Sequence, residues 1–107
     1  MKNFVQKGDA LHIIAPAGGI KSGDVVVVNN VAGVAVTDGA EGEQVAIYTT
    51  EVYRIPKATG VIEQGANVYW DATAKNATTN VTDNMHIGFA WEKSAATETT
   101  VDVKFMF

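Results

Sequence analysis

Twelve acidic side chains, two histidines and two serines are the residues of this 107-residue chain whose types could carry acid–base or nucleophilic chemistry. Two carboxylate pairs, Glu41/Glu43 and Glu92/Glu98, invite a glycosidase reading. That chemistry needs two carboxyl groups held across a cleft at a set separation. Both pairs instead flank turns beside Gly, Ser and Thr, so they read as solvated turn charges. His12 and His86 are far apart in sequence, and no carboxylate set stands at metal-ligand spacing. Cysteine is absent, which excludes disulfide and thiolate chemistry. Ser22 and Ser94 lie outside any nucleophile-elbow context. The stretch Pro16–Gly23 has glycines and Lys21, but neither the spacing of a phosphate loop nor a helix after it. The expectation is no catalysis, no metal and no cofactor.

The aromatic residues carry more information. Tyr48, Tyr53, Tyr69, Trp70, Phe89 and Trp91 gather around the middle and later strands, and most are expected in the core. Adjacent residues on a strand point to opposite faces, so Tyr69 and Trp70 cannot both face one core without a bulge. The chain also ends in Phe105-Met106-Phe107, three large apolar residues where free termini usually fray. That end should be docked, either in the core or against a partner chain. The candidate assembly contacts are therefore Tyr69, Trp70, Trp91 and Phe107, joined by Phe4 and Val5 of an N-terminal arm suited to add a strand to a neighbour's edge.

These residues need a scaffold, and the composition points to strands. Val, Ile and Thr supply 33 residues, and such side chains favour pleated surfaces over helices. No stretch longer than two turns carries a helical stripe. Strands are expected over 3–6, 10–15, 25–28, 31–37, 44–50, 51–55, 67–71, 85–92 and 99–107. Lys7-Gly8-Asp9, Lys21-Ser22-Gly23-Asp24, Asn29-Asn30 and Asp38-Gly39 separate the early ones. The Val25–Val28 run fits a strand buried on both sides or one in a tight barrel wall. Gly33 marks a bulge or a close backbone approach, a bend falls near Thr50-Glu51, and Pro56 stops its ladder. Residues 58–64 read as a loop or a short helical turn. Residues 72–83 form a polar loop with one weak exposed strand near 77–81. In the last strand, Val101, Val103, Phe105 and Phe107 share one face, the cleanest alternation in the chain.

Two halves echo each other. Gly23, Val26, Val28, Gly33 and Val45 in the first answer to Gly65, Val68, Trp70, Gly88 and Val101 in the second. Gly33 to Val45 is twelve positions and Gly88 to Val101 is thirteen. The expected fold is a single all-β domain over 1–107, a small β-barrel or a compact β-sandwich or clip-like domain, with two similar strand units as one way to build it. An N-terminal arm over 1–7 and the polar loop 72–83 complete the plan. A chain of this size hides about two-thirds of its unfolded surface, enough for one modest core.

Charge and hydropathy exclude further classes. The net charge is −4 and the eight Lys and Arg are scattered, unlike the basic patch of a nucleic-acid binder. No apolar run reaches bilayer length. The opening Met1–Gly8 lacks a signal-peptide core, so the host cytoplasm is expected before assembly. Asn76-Ala77-Thr78 and Asn80-Val81-Thr82 match glycosylation sequons, read as accidents of a Thr/Asn-rich loop.

Several segments together resemble a family of small phage and prophage proteins. They are Asn3–Asp9, Ala15–Asp24, Gly33–Val36, Ala40–Glu43, Ile55–Ala58, Gly65–Asp71, Ile87–Ala90 and the final alternating strand. The resemblance covers nearly the whole chain through the order and spacing of these segments. Members are often labelled recombinases of the RecA type. That label is rejected here, because such an enzyme needs a phosphate loop and a larger α/β core. The family looks like capsid decoration or head-stabilising proteins. The resemblance implies a virion protein on the capsid surface, a trimer, and the major capsid protein as partner, with no catalytic residues. A small ligand- or carbohydrate-binding module of a tail or fibre is the alternative. Exposed tryptophans sharing one groove would favour that alternative.

Overall fold

A computed structural model describes residues 10–107. The expected strand over 3–6 and turn over 7–9, with the arm residues Phe4 and Val5, lie outside the described residues. Among the described residues nine strands run β1 Ala10–Ile14, β2 Val25–Val28, β3 Val31–Ala35, β4 Gln44–Tyr48, β5 Val52–Pro56, β6 Asn67–Asp71, β7 Asn76–Thr78, β8 Met85–Ala90 and β9 Thr100–Phe105. They form two antiparallel sheets in a sandwich-like arrangement, with strand orders β1-β4-β3-β2 and β5-β9-β8-β6-β7.

β9 is the clearest case of pattern becoming structure. Val101, Val103 and Phe105 are 2%, 0% and 0% exposed, while Asp102 and Lys104 face outward. Phe107 does not continue that buried face, because the ladder ends at Phe105. Residues past the ladder no longer follow the pleat, and Phe107 is 36% exposed. The larger core gathers Ile55, Ile62, Val68, Trp70, Ile87, Val101, Val103 and Phe105 from the second sheet. Ala32 and Val34 of β3 pack into it. A smaller core of Ala15, Ile20, Ala35, Val45 and Ile47 belongs to the first sheet. β3 is thus buried on both faces and couples the two sheets.

Corresponding backbone bonds recur in the two halves. The Gly23 N–H donates to the Ala35 carbonyl at 2.8 Å, and the Gly65 N–H to the Ala90 carbonyl at 2.8 Å. The Ala35 N–H returns to Asp24 at 2.9 Å, and the Ala90 N–H to Ala66 at 2.9 Å. Ile20 and Gly39 exchange two backbone bonds, as do Ile62 and Ser94. β1 pairs with β4 as β5 pairs with β9. Gly33 and Gly88 hold matching places too. A Cβ on Gly33 would come within 2.7 Å of the Tyr48 carbonyl oxygen, and one on Gly88 would collide with the Lys104 carbonyl oxygen. This is the close backbone approach expected at Gly33.

Three details differ from the sequence reading. Val25–Val28 is not buried on both sides: in the edge strand β2, Val25, Val26 and Val28 are half-buried and Val27 is exposed. An apolar run is buried on both faces only where other elements cover both, and Val27 keeps 39% of its surface exposed. The short strand in the polar loop is Asn76–Thr78 rather than one near 77–81. It is not exposed at its centre, since Ala77 is fully buried against Trp70 of β6. A small side chain is what fits beside the indole. Finally, the edges β5 and β7 meet through a single parallel bridge, Lys57 with Ala77. One bridge is not a ladder, so the architecture is two sheets rather than a closed barrel.

Candidate assembly surface

The residues that could have done chemistry hold turns instead. The Glu43 carboxylate accepts from the Ala40 N–H at 2.7 Å, and the Glu98 carboxylate from the Ala95 N–H at 3.3 Å. These are corresponding turns of the two halves, and the repeated Ala-x-x-Glu spacing was a signal available in the sequence. The Ser94 hydroxyl is buried and donates to the Thr100 carbonyl at 2.7 Å. His12 is exposed on β1. His86 is exposed on β8, its Nε2 lying 2.9 Å from the Gly88 carbonyl oxygen, while its neighbour Ile87 is buried. Among the described residues no group of three or more His, Asp or Glu could hold a metal ion.

The aromatic candidates separate by face. Tyr69 and Trp70 point to opposite sides of β6, as adjacent strand residues must. Trp70 turns inward and is 8% exposed. Tyr69 turns outward beside His86, with ring centroids 5.2 Å apart. Trp91 follows β8, is 48% exposed, and lies 6.1 Å from the Phe89 ring. The register shifts between Val68 and Tyr69 because β8 carries one extra residue, a bulge at Ile87-Gly88 that leaves both of these residues buried. Phe89 remains on the outer face with Tyr69 and His86. The outer face of the second sheet therefore carries Tyr69, His86, Phe89 and Trp91 in one strip. Trp70 and Trp91 share no groove. Arg54 and Asp102 flank the strip as an ion pair at 2.9 Å.

The C-terminus is tied by its backbone. The Phe105 N–H donates to Glu51 at 3.0 Å, the Met106 N–H to Ile87 at 3.3 Å and the Phe107 N–H to Thr49 at 3.1 Å. Phe105 fills the core, whereas Met106 and Phe107 keep 57% and 36% of their surface exposed.

The body is all-β, with carboxylates closing its turns, an exposed aromatic strip and backbone bonds that tie residues 105–107. The model of the phage cement protein family matches residues 5–105. The chain belongs to the phage cement protein family. No curated protein and no solved structure matches it. It is a non-catalytic structural protein of the virion that stabilises the capsid from its surface. The recombinase label has no support in this cement protein.

Proposed function

We propose that this cement protein acts as a homotrimer on the major capsid protein, with the aromatic strip of the second sheet as the contact between copies. The observation that carries this is Trp91, 48% exposed beside Phe89 and on the face that also bears Tyr69. Aromatic side chains are enriched in protein interfaces because they bury much area at little entropic cost. Met106 and Phe107 extend the apolar surface of the chain's end. Many weak contacts on a symmetric lattice add through multivalency, so no single patch need be large. The arm with Phe4 and Val5 is proposed to add a strand to a neighbour's sheet edge, and loop 72–83 to touch the shell. We also read the matched hydrogen bonds as the trace of a duplicated strand unit, and the Lys57–Ala77 bridge as partial barrel closure of the second unit.

Sedimentation of the free protein and co-sedimentation with immature and expanded shells test the reading. A trimer that binds shells at fixed stoichiometry is expected. Trp91→Ala should lower the mass of the free protein toward the monomer. An unchanged trimer would move the copy–copy contact elsewhere, and a wild-type monomer that ignores both shells would remove the partner assignment. Proteolysis with and without shells tests the arm and the loop, which should lose cleavage on binding.

A further inference from the structure

The two halves differ most at one edge. In the second, β7 covers the outer edge of β6, with Tyr69 opposite Thr78, Trp70 opposite Ala77 and Asp71 opposite Asn76. In the first, the corresponding strand β2 turns straight into β3 through Asn29-Asn30, with Asn29 at φ 52°. No strand among the described residues pairs with the outer edge of β2. Val28 and Val31 close this two-residue hairpin, so they form its first bonded pair and Val26 with Gly33 the next. The N–H and C=O groups of Val25 and Val27 consequently point away from β3. The counterpart of Val27 is Tyr69, the residue that β7 engages opposite Thr78.

Burial shows what the missing strand would cover. Ile55, Val68 and Trp70 of the second half are 1%, 0% and 8% exposed. Their counterparts Ile13, Val26 and Val28 are only partly buried. Val27 is 39% exposed. The free edge borders a cleft of about 550 Å3, with Val25, Val26 and Val27 on one wall and Pro56, Trp70 and Lys75 on the other. A sheet edge with no partner strand among the described residues, beside a cleft, is a template for an added strand.

We propose that this cleft takes an extended segment of the capsid shell protein, added antiparallel to β2 in the place that β7 holds on β6. The occupant is a short stretch with a small apolar residue at its centre and polar neighbours, the chemistry of Asn76-Ala77-Thr78. The cleft is lined by both β2 and Trp70, and in the second half the matching place is filled by a three-residue strand, so the occupant argued for is an extended segment. The proposal rests on the shell-binding reading above and supplies the contact through which it acts.

Val27→Pro tests it, because it removes an N–H that faces away from β3 and leaves the hairpin bonds of Val26 and Val28. Wild-type protein should co-sediment saturably with empty shells. Val27→Pro should melt cooperatively and bind shells roughly tenfold more weakly, the loss of about one backbone hydrogen bond. Val27→Thr, which keeps the N–H, should bind as wild type. Hydrogen exchange of wild-type protein should slow over residues 25–28 on shell binding, a readout independent of whether Val27→Pro folds. Equal binding by a folded Val27→Pro, or unchanged exchange over 25–28, overturns the proposal. A lower mass of free Val27→Pro would show a second copy in the cleft and also overturn it. Failure of the wild type to bind any shell removes the partner assignment itself, a result distinct from these.

Discussion

Lys57 shows how one residue holds the second half together. It is 8% exposed, and its ammonium donates to the Gly60 and Ala95 carbonyls at 2.6 Å each and to Ser94 at 3.4 Å. Its counterpart in the first half is the buried Ala15. Lys57→Ala would leave those carbonyls without their donor, and thermal melts should show a loss of about 1–3 kcal/mol. Tyr53 packs edge-on against Phe105, with centroids 6.1 Å apart. Burial, then the charges of Glu51 and Tyr48, raise its phenol above the ordinary value of 10.0. The folded state therefore holds this proton more tightly than the unfolded chain. Its contribution is complete below pH 10.0 and is lost as pH rises through the higher folded value. Denaturant titrations of Tyr53→Phe and wild type should diverge only in that alkaline range. Asp102 raises the Arg54 guanidinium above its usual value by hydrogen bond and charge, but Arg54 stands in solvent. Arg54→Ala should melt with the wild type, as exposed ion pairs contribute little.

At the scale of the element, the matched glycines set how closely strands can approach. Gly88 lies against the backbone of β9, and Gly33 against that of β4. A methyl group at Gly88 has only backbone to push on, so Gly88→Ala should cost about 1–3 kcal/mol in a chemical denaturation series. Gly65→Ala is a different case. Its surroundings are open, and its cost comes from a φ of +82° rather than from collision. β9 carries Phe105, the largest of the completely buried side chains. Phe105→Ala should lose about 3–5 kcal/mol, a large share of the roughly 5–15 kcal/mol that holds a small domain folded. Loss of cooperative melting at moderate temperature would be the expected observation.

For the whole molecule, the two sheets are not equivalent partners. β3 contributes to both cores, so its residues Ala32 and Val34 hold the first sheet to the second. The second sheet is fuller, with β7 and Trp70 closing what the first leaves open along β2. The division suits a cement protein: a firm half with an aromatic outer strip, and a half whose edge and partly covered valines remain available. The Val27→Pro and Trp91→Ala variants separate these two surfaces, because one should change shell binding and the other the mass of the free protein.

The β class, the pairing of turns with glycines and the alternation in Thr100–Phe105 were legible in the residues alone, because side-chain period and turn conformation are local properties. The echo between the halves was legible for the same reason, down to the positions Gly33 and Gly88. The absence of a phosphate loop, cysteine and metal spacing also excluded most chemistry. What covers a strand is decided elsewhere in the chain. The four valines of β2 look alike in sequence whether buried or at an edge. Only the tertiary structure shows that, among the described residues, the first half has no counterpart of the strand Asn76–Thr78. Likewise, the bulge at Ile87-Gly88 and the inward turn of Trp70 depend on register between strands far apart in sequence. In the fold Trp91, and not Trp70, is the exposed tryptophan.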